Sequence, residues 1–158
     1  MSVIATPQDL KMYVDDAVIT VFENMLGMMI DPSRYGANLT LLEPQVIGMV
    51  SITGATQGVV CLRVSPGFSS EAASAMLEMD EDSLSEPDIN DVIGELANMI
   101  AGKIKAGLST GGEPCGLSLP TIVRGRKIDL ESISGVKRHS FSFAHDCGPV
   151  VLEIYSLE

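Results

Sequence analysis

The stretch Asp91-Val-Ile-Gly-Glu95-Leu-Ala-Asn98-Met-Ile-Ala-Gly102-Lys-Ile-Lys105 constrains this fold more than any other, because it carries two helical patterns at once. Ile93, Leu96, Ala97, Ile100, Ile104 and Leu108 recur at the spacing of a broad apolar face. Asp91, Glu95, Asn98, Gly102 and Lys105 recur at three- and four-residue steps on the other side of the same helix. Such a helix has to lay one face on other structure. The other face then displays a carboxylate and a carboxamide one turn apart.

The flanking sequence supplies the surface to lie on. Thr6-Pro7-Gln-Asp9 is a helix start, and Val14, Val18, Val21, Phe22, Met25, Leu26 and Met29 predict an amphipathic helix over 10–30 that stops at Asp31-Pro32. A short extended piece is expected at 39–42. Strands at 45–53 and 59–64 around a turn at 54–58 form an antiparallel hairpin. A helix over 69–79 follows, with Ala72, Ala73, Met76 and Leu77 inward, and then an acidic loop that reads as solvated. The long helix spans 87–109 until Gly111-Gly112-Glu113-Pro114 breaks it. A strand at 116–123 contains Pro120, which marks an edge or a bulge. Residues 124–138 are mixed in pattern, and strands at 140–144 and 150–156 close the chain around a turn at 145–148. This order predicts an α+β domain over 1–158, with two long helices packed on one face of a mainly antiparallel sheet.

Composition narrows the partners. Ten Lys and Arg against 21 Asp and Glu leave a formal net charge of −11, which argues against nucleic acid and anionic membranes. The absence of Trp removes the usual base-stacking platform. Although 46% of residues are hydrophobic, no run approaches the roughly 18 apolar residues of a membrane span. The N-terminus lacks a basic n-region, so no signal peptide is expected. Three scattered cysteines suit a reducing compartment, and a cytoplasmic location is expected.

A weak internal repeat divides the chain. A shift of 74 positions aligns Val18, Ile19, Asn24 and Met25 with Val92, Ile93, Asn98 and Met99. With one small gap, 58–65 aligns with 148–156, giving pseudo-repeats over about 6–65 and 88–157 and a pseudo-twofold domain. The halves differ where the polar stripe lies: Ala17, Val21 and Met28 stand opposite Asp91, Glu95 and Gly102. A single site, on the second half, is expected.

Glu95 and Asn98 are not a conventional catalytic set. Neither is a nucleophile as it stands, and no Ser or Cys accompanies a His. They are suited to positioning: a carboxylate grips a Lys or Arg, and a carboxamide, with donor and acceptor, holds a water. By spacing alone, the more ordinary reading is a solvated helix face. Among other candidates, His145-Asp146-Cys147 fits a tight turn better than a metal site, and Cys61 reads as a small buried hydrophobe. Gly111-Gly112 lacks the Lys-Ser/Thr of a phosphate loop. Arg124, Arg126, Lys127, Lys137 and Arg138 form the one basic concentration, read as a solvated loop with the charge to contact an acidic partner.

Asp91-x-x-x-Glu95-x-x-Asn98-x-x-x-Gly102 resembles the signature of the CheC/CheX/FliY family of bacterial chemotaxis phosphatases. Ile52-Thr-Gly54 before Gly58-Val-Val, Leu117-Ser-Leu-Pro-Thr-Ile-Val-Arg-Gly125 and 143–148 are similar to other parts of that family's domain. With the signature on the second helix only, the chain resembles the CheX type. The resemblance implies a homodimer built through sheet edges and dephosphorylation of the phosphoaspartate of a CheY-like response regulator. It further implies that Glu95 pairs with the regulator's active-site Lys and that Asn98 holds the attacking water in line. Asp91, Gly102 and Lys105 are expected to bind the partner, Gly102 by letting it approach closely. No cofactor of its own is expected; Mg2+ belongs to the partner receiver. The alternative is a non-catalytic binding module for a receiver domain or a flagellar-switch component.

Overall fold

In the hairpin strands, every second residue is apolar and faces the same way, so one side of the sheet becomes a platform for helices. The computed structural model describes residues 7–32, 43–54, 57–108, 115–131 and 134–157. Its elements are α1 (Pro7–Leu26), β1 (Asp31–Pro32), β2 (Gln45–Gly54), β3 (Gly58–Val64), α2 (Pro66–Leu77), α3 (Glu86–Leu108), β4 (Cys115–Leu117), β5 (Thr121–Gly125), β6 (Val136–Ala144) and β7 (Val150–Leu157), with a 3-10 turn at Glu81–Ser83. The sheet runs β1-β6-β7-β3-β2, and both β4 and β5 pair with the outer edge of β2. Every described pairing is antiparallel.

Val46, Val50 and Ile52 of β2, Val60, Leu62 and Val64 of β3, and Val150 and Leu152 of β7 supply the platform. Leu10, Val14, Val18 and Phe22 of α1 and Ile93, Leu96, Ile100 and Ile104 of α3 close it into one core. The sheet therefore carries the three helices on one face, as the element order predicts. The segments 58–65 and 148–156, matched within the sequence, lie side by side at the centre of the sheet, where Val60 stands opposite Ile154 and Leu62 opposite Leu152.

Several boundaries differ from the sequence expectation for identifiable reasons. The first helix ends at Leu26, four residues before position 30. Gly27 takes a left-handed φ of 64° and its N–H donates to the Glu23 carbonyl at 3.0 Å. Glycine adopts that conformation without steric cost, so it stops the helix although the apolar spacing continues to Met29. Asp31 and Pro32 form a short edge strand on β6.

The second helix starts three residues earlier than expected. Ser65 Oγ accepts from the Phe68 N–H at 3.1 Å, and Pro66 fills the first turn. β6 begins at Val136 rather than 140, because Lys137, Arg138 and His139 hide its alternation behind charge. The expected strand at 116–123 is split into β4 and β5 at 118–120, an interruption at the sheet edge where Pro120 falls. The extended piece at 39–42 and the Gly111–Pro114 break lie outside the described residues.

The opposite face of the sheet holds a buried polar cluster. Arg63 and Glu153, 1% and 0% exposed in their side chains, form an ion pair. Arg63 also donates to Gln45 Oε1 at 2.8 Å and to the Ile128 carbonyl at 3.1 Å. Arg138 Nε reaches the second carboxylate oxygen of Glu153 at 2.7 Å. Buried charges are tolerated only with this degree of pairing. The cluster ties the 126–131 segment to the sheet. Cys61 lies beside it, fully buried, and burial followed by the Glu153 charge pushes its thiol up to about 12. It is an inert core residue, as its place in an alternating strand suggests.

Candidate functional site

The long helix α3 is set in place before any polar residue is considered. Ser85 Oγ accepts from the Asp88 N–H at 3.2 Å, while the Ser85 N–H donates to Asp88 Oδ2 at 3.0 Å. This reciprocal cap satisfies donors at the helix start and holds the Asp88 carboxyl below its ordinary range. Gly48 in β2 sets the depth: a Cβ there would lie 3.0 Å from Ala97 Cβ and 3.2 Å from the Ile93 carbonyl oxygen. The helix is thus seated almost directly on the backbone of the strand. Near the other end, Gly107 accommodates the Tyr13 ring of α1, since a Cβ would come within 2.6 Å of it. This contact, with those of the 20–25 region against Met99 and Gly102, makes α1 and α3 antiparallel.

The sheet edge clasps α3 along its flank. Arg124 of β5 donates twice to Asn90 Oδ1, at 2.9 and 2.7 Å, and approaches Glu86 at 3.8 Å. Pro120 packs against Gly94, where a Cβ would meet its Cγ at 3.1 Å. Leu117 lies over Gly102, 3.7 Å from the position of a Cβ. Gly94 and Gly102 are both four residues from Asn98, so Asn98 stands between these two contacts on the same side of the helix.

The predicted stripe is brought together as one ridge. Asp91 and Glu95 are exposed; Asn98, Gly102 and Lys105 are half-buried. Lys105 sits in the last turn, where a cation offsets the helix dipole. Among the described residues, neither the Glu95 nor the Asn98 side chain has a hydrogen-bond or ion-pair partner. On the α1 side the ridge falls into an open apolar groove of about 360 Å³, lined by Val21, Asn24, Met25, Met99 and Gly102. On the other side stands the break between β4 and β5, where Leu119 is 89% exposed. That leucine is not legible from spacing, since an apolar residue in a strand pattern reads as core. Pro120, the marker of an edge or bulge, was the one available signal.

The remaining candidates have structural occupations. The Gly148 N–H donates to the His145 carbonyl at 3.0 Å, and the Cys147 N–H donates to His145 Nδ1 at 3.0 Å, so 145–148 is a tight turn. The His145 ring meets Phe68 edge-on at 5.4 Å. Burial, with the charges of Glu71 and Asp146 behind it, raises the Cys147 thiol. Arg124 is engaged with α3 rather than free for an acidic partner, while Arg126 and Lys127 are exposed.

Three helices on one face of an antiparallel sheet are the fold of CheC-like domains. The chain belongs to the CheX family: the family model described as chemotaxis phosphatase CheX matches residues 46–144. The CheY-P phosphatase CheX of Thermotoga maritima is 32% identical over 88 residues, 55% of this chain and 56% of that relative, so the match spans little more than half the relative's length. The CheC-like superfamily protein from Shewanella sp. PV-4 superposes with a TM-score of 0.78 at 24% identity, over 95% of this chain and 98% of that one. A chain of the CheX–CheY–BeF3–Mg2+ complex from Borrelia burgdorferi superposes with a TM-score of 0.73 at 18% identity, over 94% and 98%. Among the described residues, no helix is long and apolar enough to cross a membrane.

Proposed function

We propose that the chain is a phosphatase acting on the phosphoaspartate of a CheY-like receiver domain, through Glu95 and Asn98 of α3. The observation that carries this reading is the open ridge: a carboxylate and a carboxamide on one rigid helix, facing solvent without intramolecular partners among the described residues. Membership of the CheX family, and the existence of a CheX–CheY complex in a relative, support the receiver as the occupant.

In this reading Glu95 pairs with the receiver's active-site Lys, which registers the helix on the receiver. Asn98 then enters beside the phosphoryl group. Its carboxamide accepts from and donates to its neighbours, and so holds a water in line with the P–O bond to the aspartate. Attack by that water forms a new P–O bond and breaks the old one; the aspartate leaves as carboxylate and inorganic phosphate is released. A neutral amide takes no proton here. Its contribution is orientation, which is most of what protein groups do in phosphoryl transfer. Any Mg2+ would be held by the receiver's own residues and would supply charge neutralisation there; this chain's contribution stays with Glu95 and Asn98. Asp91, Gly102 and Lys105 border the contact, and a homodimer through sheet edges is the assembly we assign to it.

The test is the decay of a phosphorylated CheY-type receiver with and without the protein. Acceleration is expected, and its loss in Glu95→Ala and Asn98→Ala with unchanged melting temperatures. Equal rates for parent and variants would overturn the mechanism. Binding of a BeF3-loaded receiver without acceleration would identify a docking module instead.

A further inference from the structure

Leu119 is the most exposed of the large hydrophobic residues described, at 89%. A lone exposed leucine is ordinary on a protein surface. This one differs in how its backbone is held. The Ser118 N–H donates to the Ser51 carbonyl at 2.9 Å, and Ser118 Oγ accepts from the Ser51 N–H at 2.9 Å while donating to the Leu119 carbonyl at 3.0 Å. On its other side, Pro120 has a fixed φ and packs against Gly94. The chain is anchored immediately before and after Leu119, and the side chain between the anchors faces water.

Its position along α3 follows from those anchors. Leu117 lies over Gly102 and Pro120 lies against Gly94, so Leu119, between them in the chain, lies along the Gly94–Gly102 stretch of α3 that contains Asn98. Across the ridge, Met25 is 42% exposed and lines the apolar groove with Met99. The polar pair is therefore flanked by apolar side chains on both sides. A partner seated on Glu95 and Asn98 covers Leu119 as well, and apolar cover around polar contacts excludes the water that would weaken them.

We propose that Leu119 is a partner-contact residue: it seats in an apolar depression of the phosphorylated receiver beside the phosphoryl site, and it sets which receivers the chain accepts. The proposal rests on the reading of Glu95 and Asn98 given above. The receiver is the occupant because Leu119 is continuous with the ridge which that reading assigns to it. A side chain held ready in this way loses little freedom on binding, so its burial goes into affinity.

The experiment measures turnover of phosphorylated CheY receivers of the source organism, and binding of the same receivers loaded with BeF3 and Mg2+, by the parent protein, Leu119→Ala and Leu119→Met. Leu119→Ala is expected to raise KM and the dissociation constant about tenfold while kcat stays within about twofold. Leu119→Met, of similar volume, is expected to restore both. Unchanged KM and affinity in Leu119→Ala, with the parent active, would overturn this proposal and leave the phosphatase reading standing. A parent that neither binds nor accelerates any of these receivers would overturn both. If Leu119→Ala instead changes the mass seen by light scattering, a second copy of the chain covers the leucine, and the proposal fails.

Discussion

The two long helices lie antiparallel on the same sheet, yet they treat corresponding positions in opposite ways. On α3, Asp91 and Glu95 are exposed and Gly102 is half-buried. Of the residues aligned with them, Ala17 and Val21 on α1 and Met28 just beyond its end are 1%, 2% and 7% exposed. Only Asn24, the counterpart of Asn98, is polar and open on both counts. Val21 lies in the groove against α3, and its neighbour Phe22 meets Phe68 of α2 at 5.6 Å. The first helix spends on packing the positions that the second leaves to solvent. A chain with such an arrangement has room for one ridge, and α1 serves as the wall beside it.

The comparison breaks most directly at Val21. Val21→Glu places a carboxylate at a site 2% exposed and packed in the apolar core, although Lys103 of α3 lines the same groove. Chemical denaturation is expected to show a loss of about 3 kcal/mol, and no gain of phosphatase activity. The mirror substitution carries the opposite signature. Asn98→Ala is expected to lower kcat about 100-fold, equivalent to about 2.7 kcal/mol of transition-state stabilisation, while the denaturation midpoint hardly moves. An inactive but unfolded Asn98→Ala would remove the contrast between the helices.

The seat of α3 supplies a smaller effect. Gly48→Ala drives a methyl to 3.0 Å from Ala97 Cβ, and the helix has to lift from β2. A stability loss of about 1–2 kcal/mol is expected, with a fall in activity because the ridge shifts against Leu117 and Pro120. The smallest effect lies at the helix start. Ser85→Ala removes the hydroxyl that caps the Asp88 N–H and is expected to cost about 1 kcal/mol. The cap also carries a pH signature. The Ser85 N–H and hydroxyl lower the folded-state pKa of Asp88, so the stabilisation is present above the ordinary carboxylate range and is lost as pH falls through the lowered value. Thermal melts from neutral to acid pH should show the parent losing slightly more than Ser85→Ala does.

The architecture was legible because its signals are local. Period-two apolar runs at 45–64 and 150–156 and the two-faced period at 91–108 place the strands and α3 within a residue or two. The misjudged boundaries trace to single residues with special backbone or charge. Gly27 ended α1 against its apolar spacing, and Lys137-Arg138-His139 concealed the start of β6. The Arg63–Glu153 pair, 90 residues apart in sequence, was beyond any local pattern. It exists because β3 and β7 pair in a register that sets Arg63 against Val151, two residues from Glu153 and on the same face of the sheet.

The same division applies to the ridge. A period of 3.6 residues is a property of neighbours along the chain, so Glu95 and Asn98 share a face of α3 whatever the helix packs against. Whether that face meets solvent, and what borders it, depends on which surfaces other segments occupy. The sheet took the apolar side at Gly48, α1 closed one flank with Val21 and Met25, and the interrupted edge strand closed the other with Pro120. Leu119 is the clearest case: apart from the neighbouring Pro120, its sequence reads as that of a core leucine, and only the long-range clamp of Ser118 on Ser51 and of Pro120 on Gly94 turns it to the outside, along the Gly94–Gly102 stretch of α3 that contains Asn98.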